Sequence, residues 1–454
     1  MTRTLKAIHA IITPINFYKE IIGKKMKKAF MMIAVLTFTT SLSAVDLISA
    51  VDLAFKSDPQ FLRDKNLLDK QKELVNQARA PLLPNISISG SYSDTDNSTS
   101  NDTNTQNIGV TLSQTIYDRE KFLNLEQSQL NLKVAELNFL ISKEQTILRI
   151  VDAYFSILIA QNNLKTIQSE KDAVKEQLEF AKRNFEVGTS TITDQQEAQA
   201  RFDLIRASEI RTENDLAIAR TNLEKSLLVP LPENLLGINK KVRLEKPKLS
   251  KPKEWMQIAR DTNLKVKIAR IKTKLATLEL KKRKIARTPS LNLSLSANNS
   301  TVDSTASITQ DIKTATLSIS APIYKGGSIS ASERQAISEL KREENTLEFE
   351  MLNADRLAGK AFRTFIAGLS QVEALEAAEE SSKVALESNK LGYEVGVRIN
   401  IDVLNAQRQL FSTQRDLAIA RYDALQAKLE LLSAIGDLDL SAVKQMSQLI
   451  SDSN

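Results

Sequence analysis

The chain has 454 residues, no cysteine, one histidine, twelve glycines, ten prolines and a formal net charge of +7. Without cysteine there is no disulfide staple, thiolate metal site or cysteine nucleophile, and the shortage of glycine and proline favours long helices over many short elements. Residues 1–43 hold seven of the Lys/Arg and one Glu, so their loss would take +6 from +7 and leave about +1.

That loss is expected. Lys24, Lys25, Lys27 and Lys28 precede the apolar run AFMMIAVLTF and the small residues TTSLSA. This is the pattern of a secretory signal peptide, too short for a membrane-spanning helix. Residues 1–43 read as an N-terminal extension plus signal peptide, with Met26 as the start and cleavage after Ser43 or Ala44. The lone histidine, His9, leaves with it, so the mature chain lacks the residues of most metal and nucleophile–base sites. No cofactor and no metal is expected.

Beyond the leader the chain reads twice. Ala78-Arg79-Ala80-Pro81 recurs as Ala286-Arg287-Thr288-Pro289 and FEVGTSTITD (185–194) as YEVGVRINID (393–402), both at an offset of 208. Ile116-Tyr117 recurs as Ile323-Tyr324, and DLAIAR at 215–220 recurs at 416–421. Four matches in order mean an internal duplication. A first repeat over 44–229, a Pro- and Lys-rich linker over 230–253, a second repeat over 254–437 and a polar C-terminal tail over 438–454 follow. DLAIAR lies 21 residues after Asp194 but 14 after Asp402, which predicts a second copy shortened by one heptad.

Each repeat predicts a helix, a strand pair, a long helix, a corner and a returning helix. The strands of hairpin 86–116 alternate Ile86, Ile88 and Tyr92, then Ile108, Val110, Leu112 and Ile116, against small polar residues; hairpin 290–323 alternates Leu291, Leu293 and Leu295, then Leu317, Ile319 and Ile323. Alternation of this length against Ser and Thr suits a transmembrane β-strand. From Asp118 to Glu186 there is no Pro or Gly, enough for a helix of about 100 Å. Four strands cannot close a barrel alone; three chains would supply twelve. In the last helix Leu404, Phe411, Ala418, Leu425 and Leu432 form one heptad stripe and Val403, Leu410, Leu417, Ala424 and Leu431 a second, as for a helix with two partners.

ARAPLLPNISISGSY, the IYDRE and IYKGG strand exits and the paired Val-Gly corners resemble TolC-type outer-membrane efflux proteins, over essentially all of 46–440. The resemblance implies a mainly α chain with a small β-barrel part. It would form a homotrimer whose twelve-stranded outer-membrane β-barrel continues into a tunnel of long coiled-coil helices in the periplasm. The implied partners are outer-membrane lipid, a periplasmic adaptor (membrane fusion) protein and an inner-membrane RND or ABC transporter. It further implies that the corners Val187-Gly188 and Val395-Gly396 form the periplasmic tip and adaptor docking points. Asp402 would ring the aperture, and Thr193 and Asp194 would tie the neighbouring coil to Tyr393 and Arg398. A second inward acid is often found three residues after the first; here Asn405 stands there, which implies a weaker negative ring.

Other features carry less. The basic run LELKKRKIAR (278–287) has no interleaved aromatics, so a helix C-terminus is expected rather than nucleic-acid binding. Trp255 is expected as a packing anchor, and Glu343-Glu344 and Glu379-Glu380 as solvated faces. No nucleotide-binding loop is present, so energy must come from a partner. The reading is a passive exit duct of a tripartite efflux or type I secretion system, not an enzyme. The alternative is a non-conducting coiled-coil tether of the envelope.

Overall fold

The computed structural model describes residues 46–96, 102–232, 235, 245–247, 249–304 and 306–451. The predicted leader over 1–43 and much of the 230–253 linker lie outside the described residues. In chain order the elements are α1 (Leu47–Ser57), α2 (Pro59–Arg79), β1 (Asn85–Thr95), β2 (Thr103–Tyr117), α3 (Arg119–Glu186) and α4 (Ile192–Leu227). They recur as α5 (Pro252–Thr262), α6 (Leu264–Lys284), β3 (Ser290–Asp303), β4 (Ser307–Ser320), α7 (Ser328–Glu394) and α8 (Asn400–Ala434), and α9 (Leu440–Ser451) ends the chain. Corresponding elements start 204 to 209 residues apart, so the duplication extends to every element.

The helix preceding each hairpin is broken in two, for a local reason. Asp58 ends α1 and caps α2, accepting from the Gln60 N–H at 2.9 Å, and Pro59 occupies a first-turn position that needs no N–H. Asn263 does the same between α5 and α6. Each break also holds the end of its own returning helix. Ser57 Oγ donates to the Leu227 carbonyl at 2.8 Å, and Asn263 Nδ2 to the Ala434 carbonyl at 2.8 Å. Carbonyls that a helix end leaves free are thereby satisfied.

The four strands form one antiparallel meander in the order β1-β2-β3-β4. Its register pairs Ile86 with Leu112, Leu112 with Leu295 and Leu295 with Ala315, so one face carries the alternating apolar residues. The opposite face carries Ser87, Ser89, Thr111, Ser113, Ser294, Ser296, Thr314 and Thr316. Ile86, Ile88, Tyr92, Leu317 and Ile319 lie exposed, and the outer edges of β1 and β4 are unpaired in the described sheet.

Long helices follow where no proline interrupts them; α3 also lacks glycine, and α7 holds Gly359, Gly368 and Gly392 within its length. α3 runs 68 residues from an Asp118 cap and α7 runs 67. α3 pairs with α4 as coil one and α7 with α8 as coil two. In coil one Val174, Leu178 and Ala181 pack on Ala198 and Ile205, with Leu404 of α8 in the same cluster. Val403 and Leu410 instead pack with Leu386 of α7. The two stripes of α8 thus serve two partners, as the heptads predict. Above them Trp255, Phe362, Phe365, Leu431 and Ile435 form a core where α5, α7 and α8 meet, and Trp255 Nε1 donates to the Leu249 carbonyl at 3.1 Å.

Two expectations are corrected. α4 has 36 residues and α8 has 35, so the second copy has not lost a heptad. DLAIAR ends seven residues before the end of α4 and thirteen before the end of α8; the hexapeptide sits at two heights because any heptad-spaced apolar set fits the seam. The C-terminal segment, expected as a polar tail, folds as α9 against α1, burying Val443 and Met446. Spacing of three between those residues is enough for a buried helical face.

Candidate functional site at the helix corners

Both coils turn at a corner of the same backbone geometry. The capping residues Val187 and Val395 share φ −90° and ψ 2°, and Gly188 and Gly396 follow at φ +76° and +79°. A side chain at that φ is strained, which is why glycine holds both places. Thr189 N–H then donates to the Asn184 carbonyl at 2.8 Å, and Val397 N–H to the Gly392 carbonyl at 2.9 Å. Around these turns Val187 and Val395 are 72% and 65% exposed, and Val397 and Ile399 are exposed beside them. Each tip therefore presents exposed apolar side chains beside polar ones such as Thr189 and Arg398.

The two aspartates differ. Asp194 is held in a capping box: its carboxylate accepts from Thr191 N–H at 2.9 Å and Thr191 Oγ1 at 2.8 Å, while Thr191 Oγ1 accepts from Asp194 N–H at 3.2 Å. Ile399 stands where Thr191 stands and has no side-chain oxygen. Asp402 accepts only a long bond from Ile399 N–H at 3.5 Å and faces Arg398 Nη1 at 3.8 Å. With Asn405, Ser381, Ser382, Asn389 and Gln409 it lines a groove between α7 and α8. Asn405 is exposed.

Tyr393 packs its ring edge-on to Phe180 of coil one, with centroids 5.7 Å apart, and its hydroxyl is buried without a hydrogen-bond partner. Arg398 lies across Gly392, where an added Cβ would come within 2.7 Å of its Cγ. Thr193 is exposed on the first turn of α4. Among the described residues of this single chain, no side-chain hydrogen bond or ion pair joins Thr193 or Asp194 to Tyr393 or Arg398. No three His, Cys, Asp or Glu side chains among them gather as a metal site.

Other residues tie the coils within the chain, and the sequence did not mark them. Fully buried Asn400 donates Nδ2 to the Asp194 carbonyl at 3.2 Å and accepts from Gln177 Nε2 at 2.5 Å. Buried Glu170 accepts from Arg201 of α4 at 3.0 Å and Arg415 of α8 at 3.0 Å. Asn400 lies inside the repeated corner but reads simply as a helix start. Glu170 is 245 residues from Arg415, a distance no local pattern spans. Near the top of the coils Glu144 Oε2 accepts from Ser433 Oγ at 3.0 Å, and burial pushes its carboxyl up to about 7. It lines a cavity of about 320 Å³ with Asn263, Lys265, Lys360 and Glu430.

A sequence profile described as outer membrane efflux protein matches residues 50–227 and again 255–437. The chain belongs to that family. The double match falls on the two repeats. The outer membrane protein TolC of Vibrio cholerae is 29% identical over 439 residues, 91% of this chain and 96% of its own. The protease secretion protein PrtF of Dickeya chrysanthemi is 26% identical over 93% of this chain and 95% of its own. In fold, the crystal structure of the CmeC outer membrane channel of Campylobacter jejuni superposes with a TM-score of 0.74 at 17% identity, covering 92% of this chain and 95% of that one.

As a member of the efflux family the chain is a bacterial outer-membrane channel with a helical periplasmic extension, a transport protein rather than an enzyme. Membership also implies assembly with the other components of an efflux pump. The tether alternative is set aside on the same ground. Among the described residues no helix is long and apolar enough to cross a membrane.

Proposed function

We propose that three copies of this chain close their four-stranded sheets into a twelve-stranded barrel and their coil pairs into a periplasmic tunnel. The observation that carries this is the sheet: two unpaired edges and an exposed apolar face have no stable solution in one chain. Adding copies edge to edge satisfies the backbone, turns Ile86, Ile88, Leu317 and Ile319 to lipid, and leaves the Ser/Thr face to line water.

The tunnel is a passive exit duct for drugs or secreted polypeptides, gated at the corners. Asp402, beside Asn405, forms a ring of three carboxylates at the aperture. Thr193, Asp194, Tyr393 and Arg398 latch adjoining coils; Arg398 is a fixed cation with directional donors, and the unpartnered Tyr393 hydroxyl is free to take a partner once copies assemble. The exposed apolar tips at Val187-Gly188 and Val395-Gly396 receive a periplasmic adaptor, which couples the duct to an inner-membrane RND or ABC transporter. Tyr393→Phe with Arg398→Ser should raise single-channel conductance in planar bilayers, and unchanged conductance would count against the latch. Heat-modifiable trimer bands from outer-membrane fractions test the assembly. A deletion strain scored for drug sensitivity and for loss of a secreted protein reads the cargo.

A further inference from the structure

We infer that Glu170, Arg201 and Arg415 form a second tie on coil two, set above the corner and built to release on one side only. It rests on the gated-conduit reading above. Glu170 lies sixteen residues above the end of α3, so the tie sits about 24 Å from the corner. Its carboxylate is nearly closed to water and gives one oxygen to each arginine, Oε1 to Arg201 and Oε2 to Arg415, both at 3.0 Å. Arg201 belongs to α4, the partner of α3 within coil one. Arg415 belongs to α8 and is the one that must travel if coil two moves.

The arrangement between tip and tie suits such movement. Asn400 holds α8 to coil one at the tip. Between Asn400 and Arg415 the contact passes through Leu404, which packs with Ile167 and Val174. Gln407 is buried in the same stretch with its Oε1 unpartnered. An apolar contact of this kind slides, whereas a charged bond is directional. Above Arg415 the helix is fixed again, by Tyr422 against Phe155 and by Ser433 to Glu144.

Two cations on one carboxylate solve the difficulty of breaking a buried ion pair. Removing the only partner would strand a buried charge. Here Arg415 withdraws into water, where its side chain is already partly exposed, and Glu170 keeps Arg201. Arg201 is the permanent partner and Arg415 the exchangeable one, both positioning residues for the gate.

The test is single-channel recording in planar bilayers. Arg398→Ser alone reads the corner gate. Arg415→Gln alone, with an intact corner, reads the tie, and should raise the ratio of open to closed dwell about tenfold, as expected for losing one charged hydrogen bond. Arg415→Lys should recover most of the closed population. Arg201→Gln should leave the ratio unchanged, because Arg415 still holds Glu170. An Arg415→Gln channel with wild-type gating overturns the tie, as does Arg201→Gln opening the pore equally. The cysteine-free chain allows a control that does not depend on a deletion. Glu170→Cys with Arg415→Cys, bridged by a reducible thiol cross-linker in the Arg398→Ser background, should hold the pore closed until reduced. Cross-linked pores that conduct as before would also overturn the tie. If Arg398→Ser fails to open the pore while Arg415→Gln succeeds, the corner latch falls and the tie stands.

Discussion

Glu144→Gln is a sharp test of how the top of the coils is held. Glu144 is 8% exposed, and its carboxylate accepts from Ser433 Oγ and the Leu438 N–H, joining α3 to the end of α8. Burial raises its carboxyl from 4.5 to about 7, and those two hydrogen bonds only partly offset the effect. The folded protein therefore holds this proton more tightly than the unfolded chain does. Stability from this group is full below pH 4.5 and falls as pH rises through about 7, above which it is constant. At about 1.4 kcal/mol per pH unit the whole shift is worth about 3 kcal/mol, and solvent at the cavity mouth reduces it to about 2 kcal/mol. Gln keeps the shape and an acceptor for Ser433 but does not titrate. Thermal unfolding of detergent-solubilised trimer, followed by circular dichroism from pH 4.5 to 8.5, should show the variant gaining about 2 kcal/mol on wild type above pH 7 and nothing near pH 4.5. Parallel curves for the two proteins across that range would refute the argument.

Four further outcomes are expected. Asn405→Asp should tighten block of the channel by multivalent cations added from the periplasmic side, and Asp402→Ala should weaken it, both read as blocking concentration in bilayers. Gly392→Ala places a methyl within 2.7 Å of Arg398 Cγ, so it should displace Arg398 from Asp402 and raise conductance in the manner of Arg398→Ser. Gly188→Ala and Gly396→Ala meet nothing within 4 Å, so backbone strain alone acts, costing about 1 kcal/mol each in melting experiments. Trp255→Ala should cost about 3–5 kcal/mol through the cavity left against Phe362, whereas Trp255→Phe should cost about 1 kcal/mol for the lost bond to Leu249.

The first long helix was legible because its signal is an absence, no Pro or Gly between Asp118 and Glu186, whereas α7 lacks Pro but carries Gly359, Gly368 and Gly392 and was legible mainly as the second copy. The strands were legible because Ile86, Ile88 and Tyr92 alternate against Ser, and the registers place them on one face as that alternation requires. Duplication supplied the corner twice, and two noisy copies locate a glycine turn better than one. The break at Asp58-Pro59 was also present as a cap followed by a first-turn proline, yet the apolar spacing of α1 and α2 runs through it and reads as one helix. What remained hidden is what joins elements distant in sequence. Gln177 to Asn400 and Glu170 to Arg415 span 223 and 245 residues, and nothing local distinguishes a glutamate bound to two arginines from a glutamate in water.

The two corners show how a duplication acquires a division of labour with few changes. Their backbones agree at both capping valines and both glycines, so the fold constrains the copies equally. Of the positions at which the two corners differ, two neighbouring ones decide how the aspartate is held. Thr191 gives the first copy a hydroxyl, which engages Asp194 in a reciprocal cap. In the second copy Ile399 offers none, and the preceding position holds Arg398 where the first copy has Ser190. Asp402 is thereby left with one long backbone bond and an arginine 3.8 Å away, half accessible to solvent at 35% exposure. The cap engages only Oδ2 of Asp194 and fixes the group in place, which leaves Oδ1 for the proposed latch to an adjoining coil. Asp402 is underbonded, partly exposed and 3.8 Å from the permanent charge of Arg398, so it has more to gain from a neighbour, which supports the second corner as the proposed gate.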